Sequence, residues 1–482
     1  MSTVGNCVPS IETERYAEYT EDEFKSPKNN PLSTFGLDVD TSSYALMHSS
    51  LNDRKHLPAK DSVRLEEFVN YFKYDYPQPQ GKDPIAVDCE LAVCPWNAKH
   101  RLLRLGVRAK TVEEKNLPPC NLTFLIDVSG SMDYNNGLEM AKRGLKMLVG
   151  KLRDEDHVAI VTYANDVAVR LPSVSGREKA AICAVIDGLC AGGGTAGGAG
   201  IQLAYDEAKK NFDKKANNRV ILITDGDFNI GISTPKGLEE FIAEKRETGI
   251  FFTALGVGRG NYQDANMKKL ANAGNGNYGF LDSPLEAKKV MMDEFGGTLL
   301  TVAKDVKVQV EFNPAEVEGY RLLGYENRKL EAKDFNDDKK DAGEIGSGHT
   351  MTAFYEIIPA GTGEMDAGTD PLKYQKRENA ASAELMTVKL RYKLPDADES
   401  VLVEKAHAAA EMTRKEPSED FRFASAVAEC ALLLEDSKFK GEASFAKLIE
   451  RARDAKGADR EGYRAEFVRL AEQAELLLKD ED

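Results

Sequence analysis

Residues 121–132 read NLTFLIDVSGSM. Leu122 to Ile126 is a short apolar run, the pattern of a strand buried on both faces of a parallel sheet. At its carboxyl end Asp127, Ser129 and Ser131 alternate with Val128 and Gly130. One carboxylate and two hydroxyls thus gather at the sheet edge where α/β folds place ligands. Oxygen-only donors suit a hard divalent cation such as Mg²⁺ or Mn²⁺ better than zinc.

Two later stretches supply matching chemistry. AGGGTAGGAG (191–200) is a glycine-rich turn presenting one hydroxyl, Thr195, and RVILITDGD is a second apolar strand run ending at Asp225. Gly192, Gly194 and Gly197 spell G-x-G-x-x-G, but a predicted helix precedes them, whereas a dinucleotide fingerprint needs strand, turn and helix. No G-K-[ST] follows, which excludes a P-loop. The glycines instead let the backbone bend and carry Thr195 toward the other oxygens.

Around these loops, residues 121–302 alternate strands and helices: helices over 138–152, 179–189, 201–212, 238–248, 267–273 and 285–300, strands over 158–163, 167–171, 220–224, 250–256 and 278–281. That rhythm predicts a mainly parallel sheet covered on both faces. The flanks differ. A flexible leader (1–30) precedes an amino-terminal region (31–120) with a strand at 35–39, a helix through Tyr44 and Leu51, a helix face of Val63, Leu65, Phe68, Val69 and Phe72, and strands over 85–93 and 102–107. Trp96 between those strands is expected to pack a sandwich. After 302 the pattern turns to strands at 306–312, 317–323, 350–359 and 385–394, then to a helical region over 396–482 with helices at 419–434 and 463–478. The acidic loop 334–346 begins like a calcium loop at Asp334, Asn336 and Asp338, but Lys339 stands where glycine belongs and Ile345 where glutamate belongs.

The 482-residue chain has 64 Lys and Arg against 80 Asp and Glu, a formal charge of −16, and no basic stripe, which argues against nucleic-acid binding. No apolar run approaches the ~20 residues of a membrane span. Seven cysteines cannot all pair internally, and Cys183 and Cys190, two turns apart on one predicted helix, are too distant for a disulfide. The amino terminus has neither the basic start nor the apolar core of a signal peptide.

The three oxygen-bearing loops resemble the metal-ion-dependent adhesion site of von Willebrand factor A-type domains. LSTFGLDVDTSSYALMHSSLND, RLEEFVNYFKYDYPQP, YENRKLEAKDFNDDKKDAGEIGSGHTMTAFYEI and EDFRFASAVAECALLLEDSKFKG are similar to the regions flanking that domain in its bacterial members. The resemblance implies a Rossmann-like α/β domain inserted in a β-sandwich (completed by 303–395) with a carboxyl-terminal helical extension. It implies Mg²⁺ or Mn²⁺, with Ca²⁺ as an alternative, held directly by Ser129 and Ser131, directly or through water by Thr195, and mostly through water by Asp127 and Asp225. The open position would take an Asp or Glu of a protein partner, without catalysis. A rival reading, a hydrolase activating water on the same metal, needs a general base, and His157, the only histidine in the α/β unit, begins its strand rather than ending it. No G-x-S-x-G elbow surrounds the serines. The resemblance implies a cell-envelope or periplasmic location, with the cytoplasm as the alternative.

Overall fold

The computed structural model describes residues 20–37, 40–134, 136–194, 197–226, 235–258, 264–294, 297, 300–340, 342–365, 382–395 and 397–481. One compact unit is the continuous segment Pro118–Glu294; a second joins Glu18–Leu117 to Phe295–Asp482.

In chain order the second unit opens with β1 (Leu32–Gly36), α1 (Ser42–Ser49), α2 (Leu65–Asn70), β2 (Ile85–Cys94) and β3 (Asn97–Ala109). The first unit then supplies β4 (Cys120–Asp127), α3 (Ser131–Tyr134), α4 (Gly137–Lys151), β5 (His157–Tyr163), β6 (Val167–Ser175), α5 (Lys179–Asp187), α6 (Gly197–Lys210), β7 (Asn217–Thr224), α7 (Pro235–Arg246), β8 (Ile250–Val257), α8 (Asp264–Ala273), β9 (Tyr278–Leu281) and α9 (Pro284–Lys288). Back in the second unit come β10 (Thr301–Phe312), β11 (Val317–Leu323), β12 (Ile345–Gly346), β13 (Thr350–Pro359), β14 (Glu384–Lys393), β15 (Ser400–Ala408), α10 (Ala409–Met412), α11 (Glu419–Leu434), α12 (Phe445–Asp454) and α13 (Tyr463–Glu481).

The inserted unit is one sheet in the order β6-β5-β4-β7-β8-β9, with only the β5–β6 pair antiparallel. β4 lies inside it, and Leu122, Phe124, Leu125 and Ile126 are all buried, as an apolar run covered on both faces must be. Its register sets Asp127 beside Tyr163 of β5 and Ile126 beside Ile223 of β7. Those strand ends build the site.

The surrounding unit has two antiparallel sheets, β1-β10-β14-β15 (with β12 on β10) and β11-β13-β3-β2. Phe35, Val308, Val310, Phe312, Leu390 and Tyr392 of one share a core with Leu103, Leu105, Tyr320, Met351 and Tyr355 of the other. Phe312 stacks on Tyr320 at 4.6 Å between ring centres. Strand side chains alternate, and the far face of β3 and β13 mixes Leu102 and Phe354, which pack with α1, α2 and α11–α13 in a second core, with the buried Arg104 and Glu356. Trp96 belongs there, wholly buried, its indole N–H donating to Glu356 at 3.2 Å. The expectation that it packs the sandwich is therefore corrected: it closes the helical layer. Ser418 pins that layer to β2, capping α11 at Phe421 N (3.1 Å) and donating to Glu90 at 2.7 Å. Such a cap contributes about 1 kcal/mol.

Several sequence expectations change. The region after residue 396 is not helical from its start, since 400–408 forms β15 along β14. The polar connection between the last two expected helices contains α12, capped by Ser444. The helix expected over 285–300 ends at Lys288 and continues as a π turn, Lys289–Asp293. Cys190 lies beyond the end of α5, off the helix it was expected to share with Cys183, and both are free thiols. In the acidic loop, lysine ammonium groups meet backbone carbonyls. Lys307, 1% exposed, donates to the carbonyls of Asp334 and Asp337, and Lys393 to that of Asp338.

Candidate metal centre

The first loop of the site is held by its own sequence. Asp127 ends β4 fully buried, and its Oδ1 accepts the Ser129 N–H at 2.8 Å, folding the loop back over the strand end. Its Oδ2 accepts two hydroxyls, Tyr163 at 2.9 Å and Thr224 at 3.0 Å, one from each neighbouring strand. Burial raises the Asp127 carboxyl above its ordinary value and the nearby Asp225 charge adds to this, while the Ser129 hydrogen bonds oppose it. Burial also pushes the Tyr163 phenol well above 10, with the Asp127 charge reinforcing the effect, so the phenol stays a donor.

Ser129 and Ser131 turn their hydroxyls toward each other, Oγ to Oγ 3.0 Å. That separation is a hydrogen bond between the two hydroxyls, either of which can be the donor. Asp225, 9% exposed, follows β7 next to Thr224.

The glycine turn is fastened to this loop by backbone alone. Gly130 N donates to Gly193 O at 3.0 Å, and Gly192 N to Val128 O at 2.8 Å. Asn165, just past β5, receives the Gly194 N–H at 2.5 Å. Gly193 has φ +85°, and a Cβ there would run into the Asn165 amide. Thr195 itself falls outside the described residues; its neighbours on the amino-terminal side are carried to the edge of the first loop. The structure thus brings together Asp127, Ser129 and Ser131, and puts Asp225 at the end of the strand beside β4. Sequence reasoning missed Tyr163, Thr224 and Asn165. The signal was present only as register, since Tyr163 sits opposite Asp127 once β5 lies beside β4. Among the described residues no group of three or more His, Cys, Asp or Glu is placed to hold a metal ion. His157 pairs with Asn121 at the opposite end of β4, six residues or ~20 Å from Asp127.

Comparison with known proteins follows the same division of the chain. The von Willebrand factor type A domain model matches residues 121–292, a von Willebrand factor model matches 10–104, and the model described as "Uncharacterized protein YfbK, C-terminal" matches 297–477. The chain is 45% identical over 474 residues to YfbK of Escherichia coli (strain K12), covering 96% of this chain and 81% of that one. It is 27% identical over 177 residues to inter-alpha-trypsin inhibitor heavy chain H3 of Homo sapiens, covering 34% of this chain and 18% of that one. Among solved structures, a von Willebrand factor type A protein from Catenulispora acidiphila aligns with a TM-score of 0.42 and 17% identity over 80% of this chain and 89% of that one.

Proposed function

This chain belongs to the YfbK family of von Willebrand factor A-domain proteins, and from that premise we propose that its inserted unit binds a protein partner through a divalent cation, without catalysis. Ser129, Ser131 and Thr195 would hold Mg²⁺ or Mn²⁺, with Asp127 and Asp225 behind them, and a partner Asp or Glu would complete the coordination. When bound, the ion supplies a hard positive charge at a sheet edge with a position left for an outside oxygen. The carrying observation is Asp127. It is buried, held by one amide and two hydroxyls, and oriented so that the two serines come 3.0 Å apart. Hydrolysis is the weaker reading because His157 stands at the wrong end of the sheet and burial disqualifies Tyr163 as a base.

Titration calorimetry with Mg²⁺ and with Mn²⁺ tests the site. Wild type is expected to give a saturable one-site heat; Asp127→Ala abolishes it while the far-ultraviolet circular dichroism stays nearly unchanged. Equal metal affinity in both proteins overturns the proposal.

A further inference from the structure

β15 is the last strand of its sheet and, among the described residues, pairs only with β14. Val401 lies opposite Tyr392 and Val403 opposite Leu390. Directly opposed residues of an antiparallel pair share a face. Tyr392 and Leu390 are core residues at 4% and 2% exposure, so both valines point to the core side of the sheet. They are nevertheless 42% and 40% exposed, and Leu402 on the other face is 47% exposed. The sheet therefore ends on three consecutive apolar residues whose outer row of backbone donors and acceptors meets no strand among the described residues. Natural edges are normally blunted by proline, a bulge or a charge; β15 carries Glu404 and Lys405 at its middle, but Val401–Leu402–Val403 before them is uncharged.

We propose that this edge pairs with the same edge of a second copy of the chain, in an antiparallel two-fold arrangement centred on Leu402. The sequence selects that centre. Opposed residues must share a face, so the two-fold axis passes through a residue rather than between residues. An axis at Glu404 or Lys405 would oppose like charges, and one at Val403 would set Val401 against Lys405 and Leu402 against Glu404. An axis at Leu402 sets Leu402 against its own copy and Val401 against Val403, twice. It also sets Glu399 against Lys405, twice, and both of these are exposed. Apolar meets apolar and acid meets base in this register alone, which is the self-complementarity an isologous interface requires. The product is one continuous sheet, β1-β10-β14-β15 joined to its symmetry mate, with the exposed valines covered. The pairing involves no group of the metal centre. Each copy carries −16, so long-range repulsion opposes association and salt should strengthen it.

Sedimentation velocity on the full chain, with and without EDTA, tests this. The expected result is a concentration-dependent dimer that persists in EDTA and tightens as salt is raised. Leu402→Glu, which opposes two carboxylates at the axis, yields monomer. Lys405→Glu weakens dimerisation about tenfold through its two mismatched pairs, and adding Glu399→Lys restores it. All these side chains are exposed, so circular dichroism and thermal unfolding of each variant at low concentration should match wild type. A wild type that stays monomeric at its highest soluble concentration overturns the proposal, whether another segment or another partner covers the edge. A dimer indifferent to Leu402→Glu overturns it equally. So does a Lys405→Glu loss that Glu399→Lys fails to repair.

Discussion

Asp127 in the inserted unit and Glu356 in the surrounding one are carboxylates with 0% and 2% exposure, held by opposite means. Glu356 faces cations: His100 Nδ1 at 2.6 Å and Arg321 at 3.1 Å, with the Trp96 N–H at 3.2 Å. Burial pushes its carboxyl up, but His100 and Arg321 together outweigh burial and hold it below the usual range. Asp127 has only neutral donors, and its carboxyl sits above that range. The surrounding unit repeats the first pattern: Glu90 meets Arg104 at 3.4 Å, and Glu429 meets Arg451. A carboxylate paired with arginine has its charge answered within the protein. One held by hydroxyls keeps its field directed outward, toward whatever cation arrives at the strand ends. The two sites thus differ less in how deeply the acid is buried than in whether the protein itself neutralises it; elsewhere the inserted unit does pair buried acids, Asp156 with Arg153 and Glu207 with Lys210.

The sharpest way to break this comparison is to delete each acid. Glu356→Ala leaves Arg321, 2% exposed, with only Glu21 to answer its buried charge, and the expected loss is about 3 kcal/mol in chemical denaturation of the surrounding unit. Asp127→Asn keeps shape and removes charge, and should cost only about 1 kcal/mol. Equal losses at the two positions would erase the distinction.

A smaller effect is expected at the glycine turn, where neutral backbone contacts do the positioning. Gly193→Ala forces a side chain into a left-handed backbone and against Asn165, a strain of about 1–3 kcal/mol. Mg²⁺ affinity should fall roughly ten- to hundredfold by calorimetry. Unchanged affinity would mean that the turn does not position the metal loop.

The smallest effect is a pH dependence at the His100–Glu356 pair. Burial lowers the His100 imidazolium, but Glu356 and Glu364 on its two nitrogens overcome this and raise it above 6.5. A raised histidine contributes fully below its unfolded value of about 6.5 and loses that contribution as pH climbs through its folded value. Glu356, lowered from 4.5, contributes above that value and loses it as pH falls through its folded one. The cluster therefore stabilises most between about pH 4.5 and 6.5. The melting difference between wild type and His100→Gln should shrink from mildly acidic to mildly alkaline pH. A constant difference would show that His100 acts by packing alone.

The sequence made the inserted unit readable because β4, β5, β7 and β8 are covered on both faces and so are almost continuously apolar. Asp127, Ser129, Ser131 and Asp225 were legible as oxygen donors at the ends of such runs. Asn165, Tyr163 and Thr224 were not, because their role depends on which strand lies beside which. β15 was illegible for the opposite reason: one neighbour and little covering leave its side chains exposed, with no alternation to detect. α12 is only ten residues long and hid inside a charged stretch, although its buried Phe445, Leu448, Ile449 and Ala452 keep helical spacing. Trp96 was assigned to the wrong core because a strand pair offers two faces, and sequence does not say which one a third layer will cover.

The insertion also sets a timetable for synthesis. Arg108 of β3 pairs with Thr350 of β13, a residue translated more than two hundred positions later. At 5–20 residues per second, the β2–β3 hairpin waits on the order of 10–50 s for its partner strand. The whole of Pro118–Glu294 emerges in that interval as one uninterrupted stretch, free to fold on the ribosome while the hairpin ahead of it still exposes Leu103, Leu105 and Val107. Nascent chains of this protein should therefore be most vulnerable to chaperone capture and proteolysis before the inserted unit, even though that unit is complete.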